Sequence, residues 1–248
     1  MKAVVLSAGQ GKRLLPLTAE SPKCLLRVRS EETILDRQLG ALARCGVERA
    51  VVVTGFGADR VERELAARPV PGLAVETLYN PFYATSDNLM TCWLARGAMH
   101  DDFLLLNGDT LFEDAVLARL LASPPAPITV TIDRKESYDD DDMKVALDAR
   151  GRVSAVDKSL PPAMVSAESI GLLAFRGSGP KLFVDALERA VRTASAMRQW
   201  YLSVVSQLAR ATAVETARIE GLWWCEIDSP DDLEAARREL SPPAGTAR

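Results

Sequence analysis

Histidine is almost missing from this chain of 248 residues: one is present, His100, beside four cysteines, Cys24, Cys45, Cys92 and Cys225. The cysteines are widely spaced and form no CxxC pair, which argues against a zinc site or a disulfide framework and fits a reduced, cytoplasmic protein. With one histidine, no Ser-His-Asp set can be assembled. His100 follows Met99 at an expected helix end, a place for a C-terminal cap rather than a base. Basic charge is also short, since 30 Lys and Arg stand against 34 Asp and Glu and leave a formal charge of −4. The clustered cations that neutralise nucleic-acid phosphates are therefore absent. Long apolar runs are lacking too: nothing approaches the ~20 residues of a membrane helix. The opening MKAVVLSA is too short for a signal peptide and runs at once into glycines and charges. Neither nucleic acid nor membrane is an expected partner.

What is present is ordinary globular composition, 48% hydrophobic and 26% charged. Short β-branched runs at Ala3 to Leu6, Ala50 to Thr54, Leu73 to Leu78 and Phe103 to Leu106 alternate with helical periodicity at Ile34 to Cys45, Ala58 to Ala67 and Asn88 to Met99. That rhythm predicts an α/β fold with an open, doubly wound, mostly parallel central sheet, its strands covered on both faces. After Asp109 the spacing changes. Strands are expected at Ile128 to Ile132, Met143 to Leu147, Arg152 to Val156 and Ser169 to Phe175, forming a small antiparallel insertion over about 133–176. Helices are expected at Leu182 to Thr193, Trp200 to Ala209 and Asp231 to Leu240, the last capped by Ser229 or Asp228 with Pro230 in its first turn. One domain over 1–240 and a frayed tail, 241–248, are the expected organisation.

The first strand leads directly into Leu6-Ser7-Ala8-Gly9-Gln10-Gly11-Lys12-Arg13. Its two glycines let the backbone approach an anion and turn N–H groups toward it, while Lys12 and Arg13 add positive charge. The loop lacks the spacer and Lys-Ser/Thr ending of a Walker A loop and the third glycine of a dinucleotide fingerprint. A second basic residue, Lys23, follows in an irregular segment fixed by Pro16 and Pro22. Two cationic points thus flank one anion-binding loop.

A metal would need acids. The strand Phe103 to Leu106 ends in Asn107-Gly108-Asp109, which puts Asp109 at the carboxyl edge of the sheet, where open α/β folds bind ligands. Mg²⁺ takes one or two carboxylates together with phosphate oxygens and water, and Asp228 in the late segment Trp224 to Pro230 is the expected second acid. Strand alternation points Glu226 the same way as Asp228, so Glu226 remains open as a competitor.

The stretch LSAGQGKRLLPLTAESPKCLL resembles the signature of the sugar-nucleotide and choline-phosphate nucleotidyltransferases, a glycine loop ending in Arg and followed by Pro-Lys. The resemblance extends over nearly the whole chain and implies their Rossmann-like fold and an NTP substrate. It implies that Leu6, Ala8, Gly9, Gly11 and Gly108 lie against the nucleotide. Arg13, with Lys12, would hold the leaving phosphates, and Lys23 the transferred one. It also implies that Asp109 and Asp228 share Mg²⁺, and it makes a homodimer possible.

The segment Asn80 to Ala95, with Thr85-Ser86-Asp87-Asn88, resembles the choline-phosphate cytidylyltransferase branch and favours CTP. Ser86 and Asn88 are candidate nucleotide contacts, and capping of the next helix is the competing role for the same residues. In the resembling family a lysine placed like Lys158 meets the acceptor's phosphate, and Glu168 is expected at the acceptor's other end. The acceptor is left as phosphocholine, a phosphonate or a polyol phosphate. The run Asp139 to Asp142 is expected to be a solvated hairpin loop. Two other functions stay open: a sugar-1-phosphate uridylyl- or thymidylyltransferase, and a non-catalytic nucleotide-sensing subunit.

Overall fold

The computed structural model describes residues 1–241. The first strand, β1 (Lys2–Leu6), is followed by the glycine loop, by the small hairpin β2 (Arg27–Arg29) and β3 (Glu32–Thr33), and by α1 (Ile34–Arg44). Then come β4 (Arg49–Thr54), α2 (Ala58–Ala67), β5 (Ala74–Tyr79), α3 (Asn88–Leu94) and β6 (Phe103–Asn107). A short strand, β7 (Thr110–Phe112), leads to α4 (Asp114–Leu121) and to β8 (Ile128–Asp133), β9 (Lys144–Leu147), β10 (Val153–Val156) and β11 (Ala167–Phe175). The chain closes with α5 (Gly179–Ala190), α6 (Tyr201–Leu208), β12 (Val214–Arg218), β13 (Trp224–Glu226) and α7 (Pro230–Leu240).

Nine strands form one mixed sheet. β6, β1, β4 and β5 are parallel neighbours in that order, and the antiparallel strand β11 extends the sheet from β6 toward β9, β10, β8 and β12. Because β1 sits between β4 and β6, successive crossovers leave it in opposite directions. That creates a switch point at the carboxyl ends of β1 and β6, where Leu6 and Asn107 are register partners. The segment 133–176 pairs into the same sheet through β11.

Alternation along the parallel strands divides the core. Val4, Leu6, Phe103 and Leu105 face α3, α5 and α6, with the Phe103 and Phe175 rings stacked at 4.5 Å. Ala3, Val5, Leu104 and Leu106 face α1 and α4. A third cluster of Leu14, Leu26, Ile34, Leu111, Ile227 and Leu233 joins the glycine loop to the start of α7. This apolar junction brings the two ends of the sequence together.

Two expectations change and one alternative is resolved. β5 is the edge strand of the sheet among the described residues, and most of its residues are exposed, unlike those of β1. The helix expected to reach Met99 leaves α geometry after Leu94 and ends in a 3-10 turn, Ala95–Ala98. The last helix is capped by Ser229, whose hydroxyl accepts from the Asp232 N–H while the Asp232 carboxylate returns to Ser229, so Asp228 is left free. Of the tail 241–248, all but Ser241 lies outside the described residues.

Candidate active site

Lys23 is the hub. Its Nζ donates to Oδ2 of Asp109 at 2.8 Å and to Oδ1 of Asp228 at 2.8 Å, joining the N-terminal loop, the end of β6 and the segment after β13. Burial alone would favour the neutral amine, but the charges of Asp109 and Asp228 outweigh it and hold the ammonium above the usual lysine range. Asp228 answers in kind: burial opposes its ionisation, yet Lys23 and Arg13 hold it below the usual carboxylate range. Arg13 lies half-exposed with Nη2 2.9 Å from Asp228 and a second ion pair to Asp141.

Two glycines make the approach possible. Gly11 has φ +72°, and a Cβ there would stand 3.0 Å from Cδ of Lys23, so the loop needs glycine to admit the lysine stem. At Gly108 a Cβ would sit 2.4 Å from the Leu6 carbonyl oxygen, which is why β1 and β6 can end side by side. Asp109 is thereby set beside the glycine loop. Its Oδ1 is buried and without a hydrogen-bond partner, although its Oδ2 is bound to Lys23.

A cleft of about 330 Å³ opens over the glycine loop, lined by Leu6, Ala8, Gly9, Ser86, Asn88, Gly108, Lys23, Asp109 and Trp200. Gly11 and Lys12 do not line it; Gly11 acts by making room, and Lys12 is exposed. Asp87 takes the N-cap position of α3 but makes no side-chain cap bond there. Ser86 donates to the Phe82 carbonyl, and Asn88 accepts from the Tyr201 N–H. These bonds fix both side chains at the cleft wall.

A second cleft of about 510 Å³ lies across Asp228, lined by Arg13, Lys135, Asp133, Asp139, Asp141, Asp142, Trp224 and Glu226. Lys23 and Asp109 belong to the first cleft and Asp228 to the second, so the Asp109–Lys23–Asp228 bridge stands where they meet. The Asp139 to Asp142 run is an exposed loop, as expected, and its acids are also bonded. The Asp139 carboxylate accepts from the Asp141 and Asp142 N–H groups, and Asp141 pairs with both Arg13 and Lys158, the latter at 3.2 Å. Lys144, buried, binds the carbonyls of Asp139 and Lys158 and ties the two segments together. Lys158 also stands 5.0 Å from the centre of the Trp200 ring.

Glu168 is 2% exposed and lies 2.7 Å from Nζ of Lys135, which also meets Asp142 at 3.0 Å. Burial pushes the Glu168 carboxyl up to about 8 despite the opposing charge of Lys135. Glu226 is likewise pushed up to about 8 by burial, with repulsion from Asp109 and Asp228 adding to it. Among the described residues no group of three or more His, Cys, Asp or Glu side chains is arranged to hold a metal. Two carboxylates with an unpartnered oxygen instead fit an ion that completes its shell with phosphate oxygens and water. Lys135 and Lys144 escaped the sequence reading, because lysines near strand ends look like solvated surface until the fold brings them beside acids.

Residues 3–170, more than half of the chain, match the MobA-like NTP transferase domain. The chain belongs to that family. Its relatives include the CMP-5′-(3-aminopropyl)phosphonate synthase of Streptomyces rubellomurinus, to which this NTP transferase is 34% identical over 98% of its own length. The chain spans 39% of that relative's length. The CTP:phosphoglutamine cytidylyltransferase of Campylobacter jejuni is 24% identical, with 94% of this chain and 98% of that one covered. Among solved structures, the CTP:phosphocholine cytidylyltransferase of Streptococcus pneumoniae superposes with a TM-score of 0.74 at 17% identity, covering 97% of this chain and 99% of that one, a likeness of fold. No helix of the NTP transferase among the described residues is long and apolar enough to cross a membrane.

Proposed function

We propose that the protein transfers CMP from CTP to an oxygen of a small phosphonate or phosphate monoester, releases pyrophosphate and requires Mg²⁺. The observation that carries this reading is the Lys23 ammonium bridging Asp109 and Asp228 at the meeting of two clefts. The first cleft takes the nucleotide, with its phosphates along Ala8 to Gly11 and toward Arg13, and Ser86 and Asn88 at its wall. The second takes the acceptor. The relative named for a CMP-phosphonate product supports CTP and a phosphonate.

The acceptor oxygen is already anionic and attacks the α-phosphorus in line as the bond to the β-phosphate oxygen breaks, so no protein nucleophile or base is needed. The chain positions and neutralises. Lys23 stabilises charge on the transferred phosphoryl group, Arg13 the leaving pyrophosphate, and Lys158 the acceptor's anionic group. Asp109 and Asp228 hold Mg²⁺, which supplies charge neutralisation for the triphosphate. The acids of the second cleft, Asp133, Asp139 and Asp142, favour an acceptor whose far end is a cation, such as phosphocholine or an aminoalkylphosphonate, over a neutral polyol phosphate.

Pyrophosphate release with CTP, UTP, dTTP and ATP against a panel of phosphonates, phosphocholine and sugar 1-phosphates tests the proposal. CTP with an amine-bearing acceptor is the expected productive pair. Preference for UTP or dTTP with a sugar 1-phosphate, or no turnover with any pair, would overturn it.

A further inference from the structure

The buried face of α1 carries one residue that a packed helix would not be expected to choose. Gln38 is 1% exposed, among Ile34, Leu35, Leu39 and Leu42. Its Nε2 donates to the carbonyl oxygens of Asn107 and of Thr110, each at 2.8 Å. Both partners are acceptors, so the amide orientation is unambiguous and both protons are used. The price is Oε1, which is buried with no partner.

Those two carbonyls bracket the corner that carries Asp109: Asn107 ends β6 and Thr110 begins β7. The corner is also held by two backbone bonds, the Gly108 N–H to the Leu6 carbonyl at 3.0 Å and the Ile227 N–H to the Asp109 carbonyl at 3.1 Å, and by two side-chain bonds, the Thr110 hydroxyl to the Ile170 carbonyl at 3.0 Å and the Tyr201 hydroxyl to Oδ1 of Asn107 at 3.1 Å. Gln38 alone reaches it with a side chain from α1. An apolar residue would pack against α1's neighbours without an orphaned oxygen, but it would leave both carbonyls without the Gln38 donor and cut the link between α1 and the corner.

We infer that Gln38 is a positioning residue: it fixes the Asn107–Thr110 corner so that the unpartnered Oδ1 of Asp109 faces the divalent cation. This inference rests on the assignment of Asp109 to the metal in the proposed function. Groups that orient a metal ligand in this way typically change metal affinity by about 10- to 100-fold when removed.

The test is titration of Mn²⁺ into the full chain with CTP and no acceptor, followed by electron paramagnetic resonance, so that no turnover is involved. Gln38→Met keeps the length and loses both donors. It is expected to weaken Mn²⁺ binding about ten-fold or more. Leu42→Ala opens a cavity on the same helix and is expected to leave Mn²⁺ binding within about two-fold of wild type. Binding by Gln38→Met equal to wild type, or equal weakening in Leu42→Ala, would overturn the role. Should Gln38→Met fail to fold, Gln38→Glu, buried and protonated with one donor, is expected to weaken binding several-fold, and wild-type binding there would overturn it. A wild-type protein that binds no Mn²⁺ with CTP would instead overturn the proposed function, a result visible before any variant is made.

Discussion

Lys23 and Asp228 are 205 positions apart in sequence and 2.8 Å apart in the fold, and Asp228 reaches the lysine because Ser229, its neighbour, takes the helix cap. The ammonium is kept charged by the two acids it bridges, Asp109 and Asp228.

Replacing Lys23 by Ala is expected to lower turnover about a hundred- to a thousand-fold, the usual cost of one preorganised charge at a reacting centre. Pyrophosphate release measured beside the far-ultraviolet circular dichroism spectrum checks it. A folded variant with full activity would remove Lys23 from the chemistry.

Asp109→Asn and Asp228→Asn each delete one carboxylate charge without changing shape. Both are expected to raise the Mg²⁺ concentration for half-maximal rate by at least about ten-fold. Unchanged metal titration curves in the two variants would sink the metal assignment.

Asp141 neutralises Arg13 and Lys158, the cations assigned to the anionic substrates. All three side chains are partly exposed, and exposed pairs are worth little, so substrate can displace the carboxylate. Asp141→Asn is expected to lower the acceptor's KM by up to about five-fold. An increased KM would show instead that Asp141 contacts the acceptor.

Glu168 carries a sign-definite pH effect. Its carboxyl, raised to about 8 by burial, stays protonated in the folded chain at pH values where the unfolded chain has released the proton. The folded state therefore binds more protons between the ordinary glutamate range and pH 8, and stability falls as pH rises through that window. Thermal melts from pH 5 to 9 should show this decline in the wild type and a flatter curve in Glu168→Gln. Equal slopes would contradict it.

Much of the site could be read from sequence because it depends on local rules. Glycines before a basic pair mark an anion loop, and an acid after a buried strand marks a sheet edge; Lys23, Asp109 and Asp228 do converge. The pair Asp228-Ser229 before Pro230 offered both candidates for the cap, and geometry chose Ser229. What stayed hidden depends on neighbours distant in sequence. β5 reads as a covered strand by composition, yet it is mostly exposed and its outer edge has no partner strand among the described residues. The Asp139 to Asp142 run is solvated as its charge suggests, but its pairing with Arg13, Lys135 and Lys158 joins segments far apart in sequence. Gln38 gives no sign of burial in the sequence of α1, and only the folded helix brings its amide to the Asn107 and Thr110 carbonyls.

Pyrophosphate release from CTP with Mg²⁺ and an aminoalkylphosphonate, compared at equal concentrations with UTP and a sugar 1-phosphate, tests the central claim most directly. The account predicts turnover with the first pair that disappears when Mg²⁺ is chelated and returns when it is restored. Turnover confined to the second pair, or indifferent to chelation, would contradict it.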